Sequence, residues 1–349
     1  MSGPNSQLAV KQTCHFDMDD MALWHQFITE TAITISPAWE RELPRLALTC
    51  DYLMHGILAM GALHLAFLYP QQRDKYEDLA NQHQDLALRP FQSATSHITA
   101  ENCNHVFGFS VLLMVFNYAS FRSPEELLPF SGGVPYGGLS NWIVCLRGCS
   151  SIYQQAKSHI ENGPLGFLVS QQSMSAIENA GKIECPPDDD DKSLEYLTKH
   201  LLNSDKIKAS TTIEEMEAYT DAIIRLRKLL VGSSQVTDLG FRKMMSSMWP
   251  TVISETYLRL LSQQQPLALI IMAHYCLLVK KCEAYWYMSM RAFDMFEAIR
   301  RSRGPDVRSQ PCPNHLFRQL TNDAYSQWFL SEEWFPYIEH PLRVFDSRI

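Results

Sequence analysis

The sequence predicts an all-α protein, and three observations predict it. Apolar residues recur at helical spacing along most of the chain, and no stretch alternates apolar and polar with period two. In addition, 46% of the 349 residues are hydrophobic, ample for a large core. The expected architecture is a single large helical domain over residues 1–349 with a central hydrophobic cavity. Residues 1–16 form a flexible N-terminus, and residues 163–192 form a loop-rich acidic connection.

The elements follow in order. Asp17 and Asp19 are N-cap candidates for a helix that places Met21, Trp24, Phe27, Ile28 and Thr31 on one face. Leu53–Leu68 is almost wholly apolar. It is shorter than the roughly 20 residues that a membrane span wants, and it carries His55 and His64, so it reads as a buried core helix. Residues 73–98 read as an amphipathic helix through Tyr76, Leu79, His83 and Leu86, broken near Pro90. Thr99 caps the next helix, with Glu101 and Asn102 in its first turn, and that helix runs through Phe107, Phe109, Leu112, Leu113, Phe116 and Phe121. Prolines and glycines mark residues 123–140 as a loop. A helix with Trp142, Leu146, Cys149 and Tyr153 follows. Beyond the acidic connection, helices are expected at about 193–203, 212–231, 245–263 and 266–290, with Trp249-Pro250 opening one of them.

Composition excludes several functions. A net charge of -8 suits a general nucleic-acid binder poorly, since phosphate neutralisation needs clustered Lys and Arg. The patches Arg225–Lys228 and Arg300–Arg303 read as solvated helix ends. The nine cysteines are odd in number and irregular in spacing, without a C-x-x-C, which is a reduced intracellular pattern. No apolar run opens the chain as a signal peptide would. P-loop, G-x-G-x-x-G, H-E-x-x-H and G-x-S-x-G signatures are absent, so no cofactor or metal is expected. A magnesium-dependent terpene cyclase would need an aspartate-rich motif. Asp188–Asp191 is followed by Lys192 where that motif wants an acid, and Asn322-Asp323 with Ser326 is followed by Leu330 where the second motif wants one. Those stretches read as an acidic loop and a helix cap.

The most informative stretch begins at Pro266, at a first turn where proline is tolerated. Tyr275, Val279, Cys282 and Trp286 form one stripe, with His274, Leu278, Lys281 and Tyr285 beside it. Polar-tipped aromatics on a buried helix either bridge to neighbouring helices or line a cavity whose occupant takes their hydrogen bonds. The catalytic candidates are His274, Tyr275 and Tyr287, and the substrate-binding walls are Trp142, Trp286, Phe109 and Met114.

Several short stretches together resemble the C-terminal regulatory domain of fungal zinc-cluster transcription factors, the sterol-uptake regulators in particular. They are Leu23–Phe27, Leu53–Ala66, Ile98–Cys103, Trp249-Pro250, Pro266–Leu269, Ala273–Tyr275, Trp286-Tyr287 and Trp334–Pro336. The resemblance implies an all-α fold with a hydrophobic ligand cavity, which in those regulators holds a sterol. The binuclear zinc cluster of the family is absent from these residues, so DNA reading is not carried over.

Two functions compete, with a dimeric scaffold that binds no ligand as a third reading. The first is a cofactor-free pericyclase of fungal terpenoid or polyketide–terpenoid metabolism, of the hetero-Diels–Alder type. It would orient two apolar partners and aim a donor at developing charge. The second is a non-enzymatic hydrophobic-ligand-sensing regulator. The expected partner is a small terpenoid, polyketide-derived or sterol-like molecule, with no direct nucleic acid and no membrane. A homodimer is allowed. The location is cytoplasmic for the enzyme and nuclear for the regulator.

Overall fold

The structure, a computed structural model, describes residues 16–35, 39–128, 139–169, 189–202, 205–235, 239–301, 340–341 and 344–345. The expectations for residues 1–15, the glycine-rich loop at 132–138, residues 170–188 of the acidic connection, Asn322–Leu330 and Trp334–Pro336 lie outside them. Among the described residues the fold is all-α, with no strand. The chain divides into two compact units, residues 1–93 and 94–349.

The first unit is built on α1 (Met18–Gln26), α2 (Ala32–Ile35), α3 (Trp39–Ala47), α4 (Asp51–Leu68) and α5 (Arg73–Thr95). Asp17 caps α1: the Asp17 carboxylate accepts the Asp20 N–H, and the Asp20 carboxylate accepts the Asp17 N–H, each at 3.0 Å. A π-helical turn, Phe27–Thr31, joins α1 to α2. It sets Thr31 Oγ1 2.9 Å from Nδ1 of His64 on α4. By length and composition α4 could cross a membrane, but 67% of it is buried within the fold. It passes α1 so closely that a Cβ on Gly61 would lie 2.5 Å from the Leu23 carbonyl oxygen. Contrary to expectation, α5 continues through Pro90 to Thr95. Pro90 removes one backbone donor, but it and Leu86, whose carbonyl loses that partner, are both exposed, so water can serve the group.

The second unit opens with α6 (Cys103–Ser120). Thr99 and Asn102 cap it reciprocally, with N–H to side-chain oxygen distances of 2.8 and 3.3 Å. After α7 (Asn141–Gln155) and α8 (Lys157–Glu161) come α9 (Asp189–Tyr196), α10 (Asp205–Ser210), α11 (Ile213–Gln235), α12 (Leu239–Val252), α13 (Glu255–Ser262), α14 (Pro266–Lys280) and α15 (Arg291–Arg301). The centre is α14, buried at every position from Leu267 to Val279 and packed by α9, α11, α12, α13 and α15. A helix apolar all round belongs in such a place.

Three boundaries differ from those expected. The acidic run enters a helix, because α9 begins at Asp189 rather than at Ser193. The 245–263 segment is two helices. Ser254 leaves helical geometry and its hydroxyl accepts the Tyr257 N–H at 3.1 Å, so Trp249-Pro250 closes α12 and Ser254 opens α13. Finally, α14 stops at Lys280. The chain then tightens through Cys282 N–H to Val279 O (2.9 Å), Glu283 N–H to Lys280 O (3.2 Å) and Tyr285 N–H to Cys282 O (3.1 Å). Trp286 therefore leaves the Tyr275 stripe and sits with Tyr287 in a 3₁₀ turn, Trp286–Met288.

Candidate functional site

The aromatic residues of the second unit meet around α14. Tyr275 is sandwiched: its ring lies 4.8 Å from Trp249 at 21° and 6.5 Å from Trp142 at 4°. Trp249 in turn meets Tyr257 edge-on at 5.6 Å. Each polar tip ends on a backbone carbonyl. Trp142 Nε1–H donates to Leu127 O (3.1 Å), Trp249 Nε1–H to Ala222 O (2.9 Å), Tyr257 O–H to Ala268 O (2.9 Å) and Tyr275 O–H to Ser246 O (2.9 Å). Such bonds tie α11, α12, α13 and α14 together and anchor α7 to the turn at Leu127, and burial keeps both tyrosines protonated.

His274 is wholly buried beside this stack. Its Nδ1 lies 2.9 Å from the Ile270 carbonyl and its Nε2 2.9 Å from the Ser193 hydroxyl on α9. A carbonyl only accepts, so Nδ1 carries the proton and Nε2 accepts from Ser193. Burial lowers the pKa of the ring to about 4, so it is neutral at physiological pH. Asp190, one turn before Ser193, is held by Lys281 (3.1 Å) and by His340 (2.7 Å). Charges beside Asp190 pull its pKa down against the effect of burial.

Tyr287 is different. It is 2% exposed, and its hydroxyl has no hydrogen-bond partner among the described residues. Its ring meets Trp286 edge-on at 5.5 Å and Tyr285 at 5.5 Å, with the Lys243 ammonium 5.9 Å from its centroid. Burial raises its pKa well above the ordinary value, with Tyr285, Cys282 and Tyr118 adding to the effect. Trp286, Met114 and the fully buried Phe109 complete the expected set, the first two half-buried. Trp249 and Ser246 were not singled out as site residues, although Trp249 stacks closer on Tyr275 than Trp142 does. A groove of about 480 Å³ lies elsewhere, at the start of α11, open to solvent and lined by Thr212, Ile213, Met216, Thr220 and Ile224.

Free cysteines among the described residues are buried or half-buried, and burial raises the Cys145 and Cys149 thiols to about 11, which leaves them inert.

Residues 23–180 match the family model described as the fungal specific transcription factor domain. The chain is 21% identical over 266 residues to a Zn(2)-C6 fungal-type transcription factor of Aspergillus fumigatus, covering 73% of the chain and 66% of that relative. It is 24% identical over 287 residues to a Zn(2)-C6 fungal-type transcription factor of Gibberella zeae, covering 78% of the chain and 55% of the relative. It is 27% identical over 145 residues to sterol uptake control protein 2 of Candida albicans, covering 40% of the chain and 19% of the relative. The chain thus spans 66% or less of the length of each of these proteins. The matching domain and these relatives are transcription factors. That finding overturns the expected pericyclase, because the homology is to regulators and not to enzymes.

Proposed function

We propose that this chain is the effector-sensing part of a fungal transcriptional regulator, and that a small hydrophobic molecule binds in its second unit beside Tyr287. The observation that carries this reading is the Tyr287 hydroxyl, buried with no hydrogen-bond partner among the described residues. An unmade hydrogen bond of this kind costs about 1–3 kcal/mol, so it calls for an occupant. The Trp286 and Tyr285 rings that meet Tyr287 favour an apolar body, and the hydroxyl would bond one oxygen on it. A sterol-like or terpenoid molecule with a single polar group has that chemistry. The likeness to sterol uptake control proteins supports the sterol end of this class.

On this reading the protein acts in the nucleus. With a net charge of -8, it works through a DNA-reading segment or partner rather than by binding phosphate itself. Trp286 and Met114 would form the outer wall of the site and Trp142 with Phe109 the inner one.

The test is native mass spectrometry of protein purified from a fungal host, followed by extraction of whatever is bound. A sterol or terpenoid released in near-stoichiometric amount supports the reading. An empty protein whose melting temperature no sterol or terpenoid raises overturns it. The same measurement reports whether the protein is a homodimer.

A further inference from the structure

The first unit holds a second polar cluster that the effector reading does not use. His55 on α4 and His83 on α5 face each other through their Nδ1 atoms at 3.1 Å, with ring centroids 5.3 Å apart. His83 Nε2 lies 3.0 Å from Asp20 Oδ1 on α1. Both imidazoles are buried. A carboxylate only accepts, so His83 carries its proton on Nε2 and its Nδ1 is an acceptor. His55 must then donate from Nδ1. The outcome is one directed chain, from His55 through His83 to Asp20, linking three helices. Asp20 has a second duty at its other oxygen, which accepts the Asp17 N–H at the start of α1.

We propose that His55, His83 and Asp20 form a proton-operated latch that holds α1 against α4 and α5, closed while both imidazoles are neutral and released by acid. The geometry supplies the mechanism. One added proton can sit on His83, between Asp20 and the Nδ1 of His55, only if His55 moves its own proton to Nε2. A second added proton sets two N–H donors against each other at the 3.1 Å contact, between two like charges. The charged groups that bear on the pair are Asp17 and Asp20 on α1 and Asp51 on α4, and they partly offset the cost. α3 also packs on α4, but its Glu40, Arg41 and Arg45 are exposed, and Glu42 pairs with Arg41 and Arg45. On α5, Glu77 is bonded to Arg73 at 2.5 Å. Burial is the largest influence on both rings and disfavours their charged forms, so the opened unit binds protons more readily than the closed one. Once released, α1 keeps its capping box but loses its packing against α4.

The test is hydrogen exchange of the full chain read by mass spectrometry at about pH 7.5 and about pH 5.5, corrected for intrinsic rates. Each proton taken up on opening raises the open population about tenfold per pH unit below the ordinary histidine value. Peptides covering residues 18–26 should lose protection accordingly in the wild type. They should lose clearly less in His83→Gln, whose amide still reaches Asp20 but does not titrate, while His55 and His64 still take up protons. Protection that is flat in the wild type, or that falls equally in the variant, overturns the latch. Imidazole NMR of the wild type decides independently of whether the variant folds. Two protons entering in separate steps, both below the ordinary histidine value, support the latch, and two rings titrating alike at that value overturn it. Neither readout depends on the effector site in the second unit.

Discussion

The Tyr275 hydroxyl donates to the Ser246 carbonyl at 2.9 Å, and that carbonyl lacks a helical partner because Pro250, four residues on, has no N–H. A proline inside α12 would normally leave a buried acceptor unmet. Here α14 supplies the donor, and the two tryptophan rings flanking Tyr275 hold it in place. The tyrosine and the proline are one structural unit, although they are 25 residues apart in the chain.

Tyr275→Phe should therefore destabilise the fold by about 1–3 kcal/mol, the cost of a buried unmet acceptor. Chemical denaturation measures it. Pro250→Ala in the same background restores an N–H to Ser246 and should recover part of the loss. If the double variant is no more stable than Tyr275→Phe, the carbonyl is not the cause.

Gly61→Ala should cost about 1–3 kcal/mol through overpacking, since the new Cβ would sit 2.5 Å from the Leu23 backbone oxygen on α1. Backbone cannot swing aside as a flexible side chain does. A melting temperature equal to that of the wild type would show that α1 is free to move away from α4.

The sequence made the helices legible wherever one signal dominated. Asp17, Thr99 and Thr212 each precede a helix, and each forms a reciprocal cap with the residue three places on. Boundaries failed where tertiary contacts decided. Pro90 does not end α5, because its exposed site can tolerate the lost bond. The Tyr275 stripe does not reach Trp286, because α14 tightens and stops at Lys280 without a glycine or proline to announce it. Tyr275 and Trp142 are buried and polar-tipped, but their hydrogen-bond partners are not legible in the sequence. Backbone carbonyls of distant helices leave no trace in residue identities. Trp249 was visible only as half of a Trp-Pro pair, with nothing to show that it would stack on Tyr275.

Tyr287→Phe should behave in the opposite way to Tyr275→Phe. It removes a hydroxyl that has no partner among the described residues, so the ligand-free protein should keep or gain stability. Affinity for the extracted effector should fall by about 3–10-fold, the worth of one hydrogen bond. Thermal melts and a binding titration read the two quantities separately. A loss of stability in the ligand-free protein would mean that the hydroxyl has a protein partner.

Acid should destabilise the protein in a window that His274 helps to define. The pKa of the ring is about 4 in the fold, against an ordinary value near 6.5, so the unfolded chain binds more protons between those limits. Stability from this group is fully present above about pH 6.5 and is lost progressively as pH falls toward about 4, where the loss levels off. For a fully buried ring the total is at most about 3 kcal/mol. His55, His64, His83 and His105 have lowered values too, so they act in the same direction. Denaturation measured across that range should give a shallower pH dependence for His274→Gln than for the wild type. Gln can bond Ser193 but does not titrate, so the difference isolates the proton. Parallel curves would mean that His274 is already charged in the fold, or that its surroundings let water in.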